Sequence, residues 1–302
     1  MKNLIRIATR KSPLALQQAK LAESLLKNEG KIELIPMNSS GDTYTEKKFK
    51  DHGGKGLFLK ELEESLLNKT ADVAVHSLKD VPAVMSNKFE IATILSRENP
   101  LDVFVSNKYK TIKDLPKNAL IGTSSPRRIA QIKNLYKDIR IVTIRGNIQT
   151  RMSKIKEGEI DGIILAAAGL HRMSLEGLIK EYLPLNIFTP SAGQGILCLQ
   201  FLKKNDKIRK IINKYTLKEV EDCANIERQF IRKIGGNCMS PIGVNASIKN
   251  NKVNVTGFVS SIDGRRHIKS TVTNDITEAE GIGATFADVF IKQGAKKIIK
   301  ET

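Results

Sequence analysis

The 302-residue chain has no tryptophan, and aromatic residues make up only 5% of it. Flat platforms for stacking bases are therefore scarce, and no helix-turn-helix, zinc-finger or RNP-type pattern makes up for them. Cysteine is sparse as well. Cys198, Cys223 and Cys238 are an odd number at wide spacing with no C-x-x-C pair, which argues against a disulfide framework or a zinc site and fits a reducing compartment. The four histidines show no metal-ligand spacing, and no metal is expected. No apolar run approaches the ~20 residues that span a bilayer. The opening MKNLIRIATRKS carries arginine and lysine where a secretory signal would be apolar. A cytoplasmic protein without a membrane partner is expected.

Hydrophobic residues make up 40% of the sequence, enough for real cores. At about 150 residues per domain the length points to two domains, with three small ones as the alternative. One figure is abnormal: 50 Lys+Arg stand against 32 Asp+Glu, a formal net charge of +18. Nucleic acid would explain the charge. So would a lysine-rich composition spread over the surface, combined with a small anionic ligand. The missing aromatics and motifs favour the second, and no nucleic-acid partner is expected.

Apolar periodicity alternates between period 2 and period 3.6 through the first two thirds of the chain. LIRIATR reads as a strand, PLALQQAKLAESLLKN as a helix, IELIPMN as a strand, LFLKELEESLLN as a helix and ADVAVHS as a buried strand. The rhythm restarts with NALIGTSS, PRRIAQIKNLY, IRIVTIR, NIQTRMSKIKEG and DGIILAAA. Such alternation predicts α/β sheets with parallel strands. After about residue 240, Val244–Ile248, Lys252–Val259 and His267–Thr273 read as antiparallel strands separated by Asn-Asn and Asp-Gly. A last helix over about 277–294 completes a small α+β domain.

Two strand-to-helix junctions carry the same device. IRIATRK runs into Ser12-Pro13, and LIGTS into Ser125-Pro126. Serine suits an N-cap and proline the first helical turn. A helix start after a parallel strand presents free N–H groups and the positive end of its dipole. Arg10 and Lys11 flank one junction, Arg127 and Arg128 the other. Arg145 ends the strand IVTIR just before Gly146, Arg151 lies a helical turn further on, Lys79 and Asp80 follow ADVAVHS, and Arg172 follows DGIILAAAGLH. In α/β folds ligands bind at the carboxyl ends of strands. Arginines gathered there repel one another unless an anion lies between them, and each planar fork matches a carboxylate. The expected ligand is a polycarboxylate held by two half-sites facing across a cleft.

Three further features bear on chemistry. The long polar connection GDTYTEKKFKDHGGKG, residues 41–56, reads as a lid carrying Lys55. Asp80, in a turn after a buried strand, is the carboxylate suited to acid–base work, whereas His76 inside that strand reads as a core residue. Cys198 and Cys223 sit in apolar strand and helix sequence and read as buried. Cys238 lies in the glycine-rich loop GGNCMSPIG, where a thiol can be exposed, and is the cysteine that is a candidate for covalent attachment.

Taken together, RIATRKSPLAL, GDTYTEKKFKDHGGKGLFLKELE, ADVAVHSLKDVP, IGTSSPRRIAQI, IRGNIQTRMSKI, DGIILAAAGLHRM, SAGQGIL and GGNCMSPIGV closely resemble the porphobilinogen deaminase family, in order and over almost the whole chain. The resemblance implies a transferase that joins porphobilinogen units head to tail, releasing ammonia, into hydroxymethylbilane for tetrapyrrole and heme biosynthesis. The chain would grow on a covalent dipyrromethane cofactor in thioether linkage to Cys238. Asp80 would be catalytic. Arg10, Ser12, Lys79, Thr123, Ser125, Arg127, Arg128, Arg145 and Gly146 would bind the cofactor. Arg10, Lys55, Arg145, Arg151, Arg172 and Gln194 would bind substrate. The implied fold has two periplasmic-binding-protein-like, doubly wound α/β domains with mixed sheets and a small C-terminal α+β domain. Residues 1–98 with 196–214 would form the first, 99–195 the second and 215–302 the third, in a monomer. The chain departs from the family pattern at Asp51, Pro126 and Asn237. A two-lobed anion-binding protein is the competing class, and it would need neither Asp80 nor a cysteine loop.

Overall fold

A computed structural model describes residues 4–38, 59–236, 239–278 and 280–300. The described chain divides into two compact units, 1–98 with 195–222 and 99–194 with 223–302.

In the first unit the strands β1 (Leu4–Arg10), β2 (Lys31–Met37), β3 (Val73–Ser77), β4 (Phe89–Ile94) and β10 (Leu197–Leu202) form one sheet in the order β2-β1-β3-β10-β4. β1 pairs in parallel with β2 and β3, while β10 runs antiparallel to β3 and β4. Side chains alternate between faces along a strand, and both faces are covered here. Ile5, Ile7, Val73 and Val75 pack with Ala19, Ala22 and Leu26 of α1 (Pro13–Leu26), while Ala8 and Ala74 pack with Leu62 and Leu66 of α2 (Lys60–Leu67). Burial on both sides explains why ADVAVHS reads as a nearly continuous apolar run.

The second unit repeats the plan. β5 (Asp102–Val105), β6 (Leu120–Gly122), β7 (Arg140–Val142), β8 (Gly162–Ala166) and β9 (Ile179–Tyr182) lie in the order β7-β6-β8-β5-β9. β6 is parallel to β7 and β8, and β5 is antiparallel to β8 and β9. Val103, Val105, Ile163 and Leu165 face Met152 and Ile155 of α4 (Ile148–Lys156). Phe104, Ile121 and Ile164 face Ile132 of α3 (Pro126–Leu135). In each sheet the antiparallel strand is the one formed just after the chain arrives from the other unit: β5 after residue 98, β10 after residue 194. Doubly wound α/β units with mixed sheets are thus observed as expected, and the two sheets repeat one strand order.

The remainder is a three-stranded antiparallel sheet of β11 (Ile242–Lys249), β12 (Lys252–Ser260) and β13 (His267–Asp275). Its apolar face, with Val244, Val253 and Val255, packs on Phe230 of α7 (Lys218–Ile234) and on Phe286 and Phe290 of α8 (Ile282–Lys292). The predicted final helix begins later than its apolar pattern suggests, because Gly281 at φ +84° breaks the backbone just before it, and a further short helix, Ala295–Lys300, follows it. IRIVTIR likewise shortens to Arg140–Val142. The connection from 41 to 56, with Asp51 and Lys55, and the residues Asn237 and Cys238 lie outside the described residues.

His76 occupies a buried place on β3, as its apolar neighbours predict. Its Nε2–H donates to Gln200 Oε1 at 2.9 Å, and Gln200 Nε2 donates onward to Glu63 Oε1 at 2.7 Å. Burial holds the imidazole neutral and lowers its pKa from 6.5 to about 4, with the charge of Arg10 adding to the effect against the hydrogen bond to Gln200. The unfolded chain takes up a proton below pH 6.5 that the folded chain refuses until about 4. Stability is therefore expected to fall as pH drops through that window, by up to roughly 3 kcal/mol. Denaturant titrations between pH 7 and pH 4 should show this slope, and His76→Leu should flatten it.

Candidate functional site

Each unit presents the carboxyl ends of its parallel strands as one edge, and the cations fall there. In the first unit β1 ends at half-buried Arg10, and α1 starts three residues later. Ser12 caps that helix, its Oγ accepting from Ala15 N at 3.4 Å, with Pro13 in the first turn. β3 runs straight into a single 3-10 turn, Leu78–Asp80. Leu78 is buried and its N–H donates to Ile196 O at 2.9 Å. That anchor leaves Lys79 half-buried and turns Asp80 to the surface. Gln18 Nε2 of α1 donates to Ser77 Oγ at 2.8 Å and ties the two strand ends together.

In the second unit β6 leads through buried Thr123 to Ser125 and Pro126 at the start of α3. Here the structure departs from the capping expectation. Ser125 stands at the N-cap position, but its side chain makes no cap hydrogen bond. Thr123 turns its Oγ1 to accept from Ser125 N at 3.3 Å instead. The helix N-terminus therefore keeps backbone donors that α1 satisfies with Ser12.

Arg127 and Arg128, expected as accessible ligands, are only 3% and 7% exposed. Both turn inward onto Asp102, a fully buried carboxylate on β5 that the sequence reading passed over. Arg127 Nη1 donates to Asp102 Oδ2 at 2.6 Å and to Thr189 O at 2.7 Å. Arg128 holds Asp102 Oδ1 through Nε at 3.0 Å and Nη2 at 2.7 Å, and donates to Ile164 O at 2.8 Å. The two guanidinium groups keep the Asp102 carboxyl far below the usual range despite its burial. Gln194 is fully buried, its Nε2 donating to Pro100 O at 2.7 Å and to Asp102 Oδ1 at 3.1 Å. A fully buried amide with those partners braces the approach to β5 beside the chain crossing at 194.

Further out, Gly146 at φ +102° allows the turn from which Arg145 and α4 project; a side chain there would collide with Thr150. Asn147 caps α4 through Thr150 N at 2.8 Å. Arg151 Nε donates to Gly146 O at 2.9 Å. Burial, then the charges of Arg128 and Arg145, bring the Arg151 pKa down from 12.5 to about 10. Burial and the neighbouring charges of Arg128 and Arg145 thus disfavour the charge of Arg151, and beside them Asp102 is the buried carboxylate shared by Arg127 and Arg128. Arg172 closes the short helix α5 (Ala167–His171) after β8. The structure thus brings Thr123, Ser125, Arg127, Arg128, Arg145, Gly146, Arg151 and Arg172 to one edge of the second unit, and Arg10, Ser12, Lys79 and Asp80 to the corresponding edge of the first.

The other candidates take structural roles. Cys198 and Cys223 are buried, as predicted. His171 pairs with Tyr182 Oη at 2.9 Å and His267 stacks on Phe258. Among the described residues no group of His, Cys, Asp and Glu could hold a metal ion, and no helix is long and apolar enough to cross a membrane.

Comparison with known proteins meets this geometry. Residues 5–210 match the family model described as porphobilinogen deaminase, dipyromethane cofactor binding domain, and residues 221–292 match the porphobilinogen deaminase C-terminal domain. The chain is 44% identical over 290 residues to the porphobilinogen deaminase of Clostridium acetobutylicum, covering 95% of this chain and 99% of that one. It is 40% identical over 298 residues to that of Francisella tularensis subsp. novicida, covering 98% and 99%. Among solved structures, the periplasmic aliphatic sulphonate binding protein SsuA of Escherichia coli aligns over all of this chain and 91% of its own, with 12% identity and a TM-score of 0.43. A likeness at that level carries no argument, and the fold class rests on the sheets themselves. A cofactor-binding domain matched from residue 5 to 210, a C-terminal domain matched from 221 to 292, and 44% identity over 290 residues converge: the chain belongs to the porphobilinogen deaminase family.

Proposed function

We propose that the protein condenses porphobilinogen head to tail into hydroxymethylbilane, releasing one ammonia per unit joined, as the transferase of a tetrapyrrole pathway. The observation that carries this reading is the arginine edge of the second unit. There, among the described residues, buried Asp102 is the one carboxylate paired with Arg127 and Arg128, and Arg151 loses basicity to burial and then to the charges of Arg128 and Arg145. A single phosphate would not need so many planar forks, whereas each pyrrole carries an acetate and a propionate.

The fit to dipyrromethane follows from the same excess of positive charge. Arg127 also keeps a buried Nε with no hydrogen-bond partner. Arg127, Arg128 and Arg145, with the uncapped start of α3, would hold the cofactor's carboxylates, Arg151 would take those of the substrate, and Cys238 would bear the thioether. When bound, the dipyrromethane supplies the free pyrrole position on which the chain is extended. Arg10 and Lys79 would orient the incoming porphobilinogen by its carboxylates, joined by Arg172 and by Lys55 from the connection 41–56. Asp80, fixed by the buried anchor Leu78 at the end of β3, would guide a proton at the departing amino group. Its carboxylate would then stabilise positive charge on the carbon left behind and accept the proton lost when the pyrrole ring is restored.

Residues 215–302 are proposed as a third domain carrying the cofactor cysteine, beside 1–98 with 196–214 and 99–195. The protein is proposed to act as a cytoplasmic monomer. Incubation with porphobilinogen is expected to release ammonia in step with substrate loss and to yield a linear tetrapyrrole. Substrate that remains unconsumed by protein carrying its cofactor would refute the assignment.

A further inference from the structure

We infer that Asp102 is a positioning residue of this site, which sets the orientation of Arg127 and Arg128 and is itself locked by Gln194. The inference rests on the reading that these arginines take ligand carboxylates, and it concerns what holds them in place.

Asp102 begins β5, and its carboxylate is fully buried. Oδ1 accepts from Arg127 Nη2 at 3.3 Å, Arg128 Nε at 3.0 Å, Arg128 Nη2 at 2.7 Å and Gln194 Nε2 at 3.1 Å, while Oδ2 accepts from Arg127 Nη1 at 2.6 Å. Every group facing the carboxylate is a donor, so no neutral isostere satisfies the arrangement. An asparagine would turn its own NH2 toward a guanidinium or the Gln194 amide. The two arginines are adjacent on α3 and repel each other. They stay folded inward because one anion serves both, and because the Thr189 and Ile164 carbonyls take further donors. Thr189 is held in turn by Gln131, whose Oε1 accepts from Thr189 N at 2.7 Å.

The lock continues past the arginines. Gln194 is also bonded to Pro100 O at 2.7 Å, so it fixes the approach to β5 together with the carboxylate. Its neighbour Gly193 donates its N–H at 2.6 Å to Glu227, a second fully buried carboxylate on α7, which also accepts from Ala246 N at 2.7 Å. Buried ionic groups cost desolvation and are weak contributors to stability when apolar residues could fill the space. Their use here is geometric: they hold two guanidinium planes at fixed angles.

Full-length protein made in cells unable to synthesise porphobilinogen, then titrated with porphobilinogen, gives the test. Intact mass reports the concentration needed for half-maximal cofactor loading in a fixed time. Asp102→Asn is expected to raise that concentration at least tenfold while melting cooperatively. Val253→Ala, a buried position on β12, is the control for lost stability alone and is expected to leave the concentration unchanged. Loading of Asp102→Asn at the wild-type concentration would overturn the inference. If Asp102→Asn fails to fold, Gln194→Leu decides. That variant keeps the carboxylate and removes its lock, so a rise of about threefold supports the inference and no rise overturns it. Wild-type protein that never gains mass would refute the functional reading, and the inference with it.

Discussion

Asp80→Asn is expected to lower kcat by about 10²- to 10⁴-fold, the range for loss of a positioned acid–base group. KM for porphobilinogen should stay near its wild-type value, because the carboxylates of the substrate are assigned to Arg10, Lys79 and Arg172 and not to Asp80. A fall in kcat and kcat/KM together marks an interaction made only in the transition state. Asp80 is exposed at the end of a 3-10 turn whose anchor is Leu78, so melting should shift by no more than about 0.5 kcal/mol equivalent. Steady-state kinetics beside a denaturant curve separates this from a folding effect. A large rise in KM with kcat intact would move Asp80 from the chemistry to substrate binding.

Arg127→Leu is the second large effect, and it has two parts. The substitution removes the donor to Asp102 Oδ2 and leaves Arg128 and Gln194 on Oδ1. Breaking a buried pair usually costs about 3–5 kcal/mol. The surviving partners and the relief of Arg127–Arg128 repulsion place the expected loss nearer about 2–3 kcal/mol. Asp102 then holds its charge with fewer partners, so the variant should also lose stability sooner on acidification. The functional part is larger. Cofactor assembly and substrate elongation are assigned to the same arginine edge, so the variant should be isolated without cofactor and without turnover. Recovery of folded Arg127→Leu with its full cofactor mass would show that Arg127 only supports the fold.

The depth to which the site could be read from sequence differs between its two layers. Strand ends, helix starts and the cations beside them are local patterns, and Arg10, Ser12, Lys79, Asp80, Arg145 and Arg151 lie where period and punctuation place them. Asp102 is invisible by the same logic. It sits in ENPLDVFVS, outside the strand and helix runs that periodicity marks, and its partners are 25, 26 and 92 residues away. Gln194 is the mirror-image case: the GQG motif draws attention to it, but nothing local says that its amide bonds to Pro100 and Asp102 in the interior. Glu227 looks like one more charge on the amphipathic helix α7 until β11 and Gly193 close over it. The antiparallel strands β5 and β10 escaped the parallel α/β rhythm because each is made by a chain segment returning from the other unit. Ser125 shows the limit of the capping rule: the right residue at the right place, with Thr123 competing for its neighbourhood.

On this reading the chain builds and carries its own dipyrromethane primer on Cys238. Intact-mass measurement of the purified protein tests it most directly. The expected mass exceeds that of the polypeptide by two porphobilinogen units less two ammonia molecules, before or after incubation with porphobilinogen, and Cys238→Ser abolishes the excess. A chain that keeps its unmodified mass after incubation, or a Cys238→Ser variant that gains the same excess, would contradict the account.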